Sequence, residues 1–177
     1  MCGIAGYFNP DQNYAENPKQ NFHTLSRMIN TMNHRGPDTY GHTIINSCCL
    51  AHTRLSIIDL ENGRQPMSYT KDGNTYYIVY NGEIYNYKEV KKTLLRKNYT
   101  FETNSDTEVI IAAFCHYGPG FVKELNGIFA IAIYDSMRNT LYLYRDRFGV
   151  KPLYYTKTGD TLVFASRIDT LFEYPRV

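Results

Sequence analysis

Short runs of β-branched and aromatic residues, several of them apolar at consecutive rather than alternate positions, dominate this chain of 177 residues. Residues 3–8, 43–46, 48–52, 55–60, 75–80, 128–134, 140–144, 153–156 and 161–165 read as strands. A strand that is apolar at odd and even positions alike has no face to give to water, so its sheet must be covered on both sides. The turns agree. Lys71-Asp72-Gly73-Asn74 leads into 75–80, Asp135-Ser136-Met137-Arg138-Asn139 separates 128–134 from 140–144, and Lys157-Thr158-Gly159-Asp160 joins the last two runs. Helices are fewer. Residues 21–32 place Phe22, Leu25, Met28, Ile29 and Met32 at helical spacing. Residues 86–97 open on Asn86 with Glu89 three later, and 109–117 follow the capping-box pattern Ser105-Asp106-Thr107-Glu108 and close on Gly118. The class expected is α+β: layered sheets covered by helices, in one domain over 1–177.

Composition removes several classes of function. Lys and Arg number 19 against 17 Asp and Glu, a net charge of +2, which leaves no electrostatic footprint for nucleic acid or an anionic membrane. No apolar run approaches the roughly 20 residues of a membrane span, and MCGIAGYFNP has no basic leader, so the chain reads as cytoplasmic. Cys2, Cys48, Cys49 and Cys115 contain no C-x-x-C pair, which argues against a zinc site, and a disulfide framework does not suit that compartment. Neither G-x-x-x-x-G-K-[ST] nor G-x-G-x-x-G is present.

The residues that could carry chemistry each have a plain structural reading beside the functional one. If Met1 is removed, Cys2 holds a thiol nucleophile and, in its own α-amine of pKa about 7.7–8.0, a base to activate it. Otherwise Cys2 is a small buried residue at a strand start. Asn81-Gly82 suits a tight turn, or an oxyanion hole made of a side-chain amide and a backbone N–H. Arg54, set among strand residues, is either a structural ion-pair partner or a fork for a substrate carboxylate. Asp106, in the first turn of a helix, either faces the helix dipole or reaches a substrate ammonium. His34-Arg35-Gly36-Pro37-Asp38 is a polar loop after the first helix, and the segment from Arg145 to Tyr155 reads as a salt-bridged corner between strands.

Taken together, MCGIAG at 1–6, HRGPD at 34–38, RLSIIDL at 54–60, QPMS at 65–68, NGEIYNY at 81–87, SDTEVI at 105–110, GIFAIAIYD at 127–135 and RDRFGVKPLYY at 145–155 resemble the glutaminase domain of class II, N-terminal-nucleophile glutamine amidotransferases. The Cys2 and Asn-Gly features are shared with phosphoribosyl and glucosamine-phosphate amidotransferases. RLSIIDL and RDRFGVKPLYY point instead to the glutamine-hydrolysing asparagine synthetase branch. The resemblance implies a four-layer αββα sandwich, two mainly antiparallel sheets between helical layers. It implies Cys2 as nucleophile, Asn81 and Gly82 as oxyanion hole, Arg54 for the glutamine α-carboxylate and Asp106 for its α-ammonium. Leu55 and Ile57, through their backbones, and Glu83 complete the implied pocket.

By the same resemblance the glutaminase step needs no metal or other cofactor, and ATP and Mg belong to a synthetase domain. The S-G-G-x-D-S loop of that domain is absent from these residues, so a C-terminal synthetase domain or a separate synthetase subunit is the expected partner. Family members commonly have Glu after Phe-Ala-Ser, where Arg167 follows Ser166 in this chain. A non-catalytic module on the same fold, or an amidotransferase serving another acceptor, are the competing expectations.

Overall fold

The structure, a computed structural model, describes residues 2–55 and 63–177. Residues 56–60 of the expected strand at 55–60, and with them the candidate Ile57, therefore lie outside the described residues. The elements run β1 (Gly3–Phe8), α1 (Pro18–Met32), β2 (Thr39–Ile45), β3 (Cys48–Arg54), β4 (Met67–Lys71), β5 (Asn74–Ile84), α2 (Tyr87–Leu95), α3 (Asp106–Tyr117), β6 (Gly127–Asp135), β7 (Thr140–Arg145), β8 (Tyr154–Thr158), β9 (Thr161–Ala165) and α4 (Ile168–Leu171). Two antiparallel sheets result, one in the order β2-β3-β1-β9-β8 and the other β4-β5-β6-β7.

The sheets pack face to face and each carries helices on its outer side, which is the four-layer αββα arrangement. Ile4, Cys48, Leu50, Val79, Ala130, Ala132, Tyr134 and Phe164 form the seam between the sheets. Leu25, Met28, Ile29 and Met32 of α1 cover the first sheet through Ala5, Tyr7, Cys49 and Ala51. On the far side, α2 and α3 cover the second sheet through Leu94, Ile110, Phe114, Ile131 and Ile133. The doubly apolar strands are the central ones: every residue of β3 is buried, as is β6 from Phe129 to Asp135. Each large side chain so buried contributes roughly 1.5–3 kcal/mol.

Local chemistry explains where the elements depart from the sequence-based reading. β5 does not stop at a turn at Asn81-Gly82 but runs to Ile84, because β6 pairs with it down to Ile84↔Gly127. The tight turn of this hairpin region lies earlier, where Asp72 and Gly73 both have positive φ and close a two-residue loop between Lys71 and Asn74. The capping box before α3 is only half formed. The Ser105 hydroxyl accepts from Thr107 N at 3.1 Å, but the Glu108 carboxylate accepts from Glu102 N and Thr103 N, both at 2.8 Å. Asn86 makes no side-chain cap to α2. Its amide instead ties to Asn126 N at 2.8 Å and Glu124 O at 2.9 Å. Among the described residues the Arg145 corner is held chiefly through the backbone, with Arg145 donating to Lys151 O and Gly149 O. The Asp146 carboxylate accepts from the N–H groups of Phe129, Phe148, Val150 and Lys151 at 3.0–3.3 Å. Among the described residues no helix is long and apolar enough to cross a membrane.

Candidate active site

One end of the seam between the sheets opens into a cavity of about 80 Å³ lined by residues from both sheets and from the start of α3. Strand alternation decides what faces it. Cys48 and Leu50 of β3 belong to the seam, so His52 and Arg54, in phase with them, point the same way. Cys2, two residues before the seam residue Ile4, is in the corresponding phase. Cys2, Arg54, Leu55, Gly82, Glu83 and Asp106 all line this cavity. Of the remaining candidates, Asn81 is in phase with the seam residue Val79 and is not among the wall residues.

The thiol is held by the strand end beside it. Leu55 N donates to Cys2 Sγ at 3.5 Å and Leu55 O lies 3.7 Å from the sulfur. The main-chain oxygen of Cys2 accepts from Arg35 Nε at 3.2 Å. Burial, reinforced by the Arg167 guanidinium, lowers the Arg35 pKa. Gly3, next to the thiol, has no room for a side chain: an added Cβ would sit 2.7 Å from Thr53 Oγ1 and 3.0 Å from Met32 Sδ.

The outer edge of β5 supplies the opposite wall. β4 pairs with β5 only as far as Ile78, so beyond it the edge is open. In an antiparallel ladder the N–H and C=O of alternate residues point to the same side. Tyr80, Gly82 and Ile84 therefore direct their peptide groups away from β6. Tyr80 N donates to Gln65 Oε1 at 2.6 Å and Ile84 N to Asp106 Oδ2 at 3.4 Å. The Gly82 N–H, between them, is aimed at the cavity that Gly82 lines. A Cβ on Gly82 would collide with Ile128 O and lie 2.7 Å from Tyr80 Cε2, so only glycine fits. The neighbouring Asn81 amide is 2% exposed, and its Nδ2 has no partner among the described residues.

Arg54 is 6% and Asp106 7% exposed. Burial raises the Asp106 pKa, and hydrogen bonds from Tyr80 and backbone N–H groups work against it. The cavity thus offers a thiol, the peptide N–H of Gly82 with the Asn81 amide next to it in the strand, a guanidinium and a carboxylate. Such a set matches a zwitterionic substrate with a neutral amide at its far end. Among the described residues, no group of three or more His, Cys, Asp or Glu is placed to hold a metal ion.

Sequence reasoning missed six further wall residues: His52, Gly63, Gln65, Tyr80, Ser105 and Thr107. His52 carries a detectable signal, an ionisable side chain inside a strand buried on both faces. Its Nε2 lies 3.2 Å from Tyr80 O, which can only accept, so His52 is the donor there. Burial above all, with Arg54 nearby, lowers its pKa to about 3, which keeps the ring neutral. Gln65 and Thr107, joined Nε2 to Oγ1 at 3.2 Å, carry none.

Comparison with known proteins fits this arrangement. The sequence matches the family described as a glutamine amidotransferase domain across residues 1–177. It is 40% identical over 177 residues to Bacillus subtilis asparagine synthetase [glutamine-hydrolyzing] 3, covering all of this chain and 28% of that protein. Against Escherichia coli asparagine synthetase B the identity is 40% over 165 residues, 92% of this chain and 28% of that one. An amidase of Penicillium rubens, chyE, is 36% identical over 98% of this chain and 26% of its own. The chain therefore spans only about a quarter of the curated relatives it matches. Glutamine phosphoribosylpyrophosphate amidotransferase from Bacillus subtilis shares the fold, with a TM-score of 0.74 at 20% identity over 97% of this chain and 43% of that one. With the whole sequence matched and the same layered architecture in the solved relative, this chain belongs to the glutamine amidotransferase domain family.

Proposed function

We propose that this domain hydrolyses the side-chain amide of glutamine through a thioester on Cys2 and passes the ammonia to an asparagine-synthetase-type amidation. One observation carries the reading: a thiol, the oxyanion-type N–H of Gly82, the guanidinium of Arg54 and the carboxylate of Asp106 converge on a single cavity. With Met1 removed, the α-amine of Cys2 takes the thiol proton. The sulfur attacks the amide carbon, and the charge that develops on its oxygen is met by Asn81 Nδ2 and the Gly82 N–H. The amine returns the proton to the nitrogen, ammonia leaves, and water cleaves the γ-glutamyl thioester to glutamate and the free thiol. Arg54 pairs with the α-carboxylate and Asp106 with the α-ammonium, while Leu55 and Glu83 close the pocket. The step uses no cofactor. ATP and Mg act in the synthetase domain or subunit that receives the ammonia, and the four free thiols suit the cytoplasm.

The test is the intact mass of the purified chain with and without a diazoketone analogue of glutamine, together with glutamate release by Cys2→Ala. Loss of Met1, one adduct mapped to Cys2 and no turnover in the variant support the proposal. Appreciable turnover by Cys2→Ala, or an adduct elsewhere, sinks it.

A further inference from the structure

We infer that Tyr80 is a specificity-determining positioning residue: its phenol fixes the Asp106 carboxylate, and so the cavity's preference for substrates that carry an α-ammonium. The inference rests on the glutaminase reading and adds to it a residue outside the candidate set. Its geometry is direct. Tyr80 Oη donates to Asp106 Oδ2 at 2.9 Å, and the same oxygen accepts from Ile84 N at 3.4 Å. Two donors from β5 converging on Oδ2 fix the carboxylate at the wall of the cavity that Asp106 lines.

Tyr80 is itself held at both ends of its backbone. Its N–H donates to Gln65 Oε1 at 2.6 Å, and its carbonyl accepts from His52 Nε2 at 3.2 Å. Gln65 is anchored in turn to Thr107, the residue after Asp106. The ring passes under Gly82, close enough that an added Cβ there would lie 2.7 Å from Cε2. One side chain therefore bridges the strand segment that carries Asn81 and Gly82 and the helix turn that carries Asp106. It sets how far the amide end of the pocket stands from the ammonium end.

Ionisation points the same way. Burial raises the Asp106 pKa, and a protonated acid would lose its charge for an ammonium. The phenol hydrogen bond opposes that rise. Burial and the adjacent carboxylate push the pKa of Tyr80 well up, so its proton stays on the phenol and the direction of donation is fixed.

The experiment compares kcat/KM for glutamine with kcat/KM for 4-carbamoylbutanoate, which keeps the amide and the carboxylate but lacks the amine, in wild type and Tyr80→Phe. Iodoacetamide labelling of Cys2 serves as the check on the nucleophile and the fold. Tyr80→Phe is expected to lower kcat/KM for glutamine roughly ten- to hundredfold, chiefly through KM, the effect of one hydrogen bond to a charged group. It should leave 4-carbamoylbutanoate and the labelling rate within about twofold of wild type. Asp106→Asn should reproduce that substrate pattern, and the double variant should add little to either single one. Equal losses on both substrates, or none on glutamine, overturn the inference. Wild type that hydrolyses neither substrate refutes the glutaminase reading itself.

Discussion

The Asn81 Nδ2, which has no partner among the described residues, gives a prediction in which stability and activity separate. Asn81 and Val79 lie two residues apart on one face of β5, at 2% and 0% exposure. A buried donor left without a partner costs about 1–3 kcal/mol. Truncation to alanine removes that cost but vacates a volume on the order of 50 Å³, which at about 24 cal/mol per Å³ costs about 1 kcal/mol. Asn81→Ala should therefore fall between neutral and roughly 2 kcal/mol more stable than wild type, and each kcal/mol moves Tm by about 2–4 °C for a domain of this size. Val79→Ala has no such relief and should lose about 2 kcal/mol through apolar burial and packing. The same Asn81→Ala change should cost about 10²–10³ in kcat for glutamate release, because the amide is reserved for a charge that exists only in the transition state. The assays are thermal melting of both variants and initial rates of glutamate release. If Asn81→Ala melts as low as Val79→Ala, the amide is not an uncompensated burden. If it keeps wild-type kcat, the amide is not an oxyanion donor.

Two other groups give pH and stability predictions. The pKa of His52 is about 3 in the fold against about 6.5 in an unfolded chain, so folding favours its neutral form. Its contribution is complete above about pH 6.5 and is lost as pH falls toward 3. His52→Gln, which keeps an N–H for Tyr80 O, should flatten the decline in urea midpoint between pH 6.5 and pH 4, and an unchanged slope would refute it. Asp146 accepts four backbone N–H groups, which hold its carboxyl below the usual range although burial opposes them. Asp146→Ala should cost about 2–4 kcal/mol in urea unfolding, and a loss near zero would refute the backbone-anchoring role.

What was legible in the sequence follows physical lines. Doubly apolar runs gave the buried strands, while the equally apolar run Val109–Phe114 of α3 was set apart from them by its capping pattern and closing Gly118 rather than by periodicity. β1 and β9 coincide with their expected bounds. β4 was not foreseen, because Met67–Lys71 alternates in exposure at a sheet edge and carries little apolar weight. Asn81-Gly82 alone favours a turn. In the fold, β6 supplies a partner strand that overrides the dipeptide's local preference, and the glycine is there for close approach rather than for positive φ. Glu108 and Asn86 show the same limit, since each is a capping residue by spacing that finds a better tertiary partner. The site's charged members, Arg54 and Asp106, were visible as residue types that burial makes expensive. Gln65 and Thr107 were not, since a neutral polar residue announces nothing until its neighbours are known.

The site's position follows from what a strand edge can offer. An oxyanion needs a peptide N–H that is aimed, rigid and not already spent. Inside a sheet every such group is consumed by the ladder, and in a loop it is free but loosely aimed. β5 resolves this by pairing with β6 throughout while losing β4 after Ile78. Its backbone is then fixed on one side and exposed on the other. Gln65 and Asp106 occupy the N–H groups of Tyr80 and Ile84, so Gly82 between them is the position left to act on a substrate. The costs gather in the same place: an amide nitrogen at Asn81 with no partner among the described residues, a position at Gly82 that admits no side chain, and a desolvated carboxylate at Asp106. Selection for stability alone would fill, pair or neutralise each of them. That Gly82 and Asp106 line one cavity, with Asn81 next to Gly82 in the strand, is the physical reason to read it as a site for chemistry and not as a packing defect.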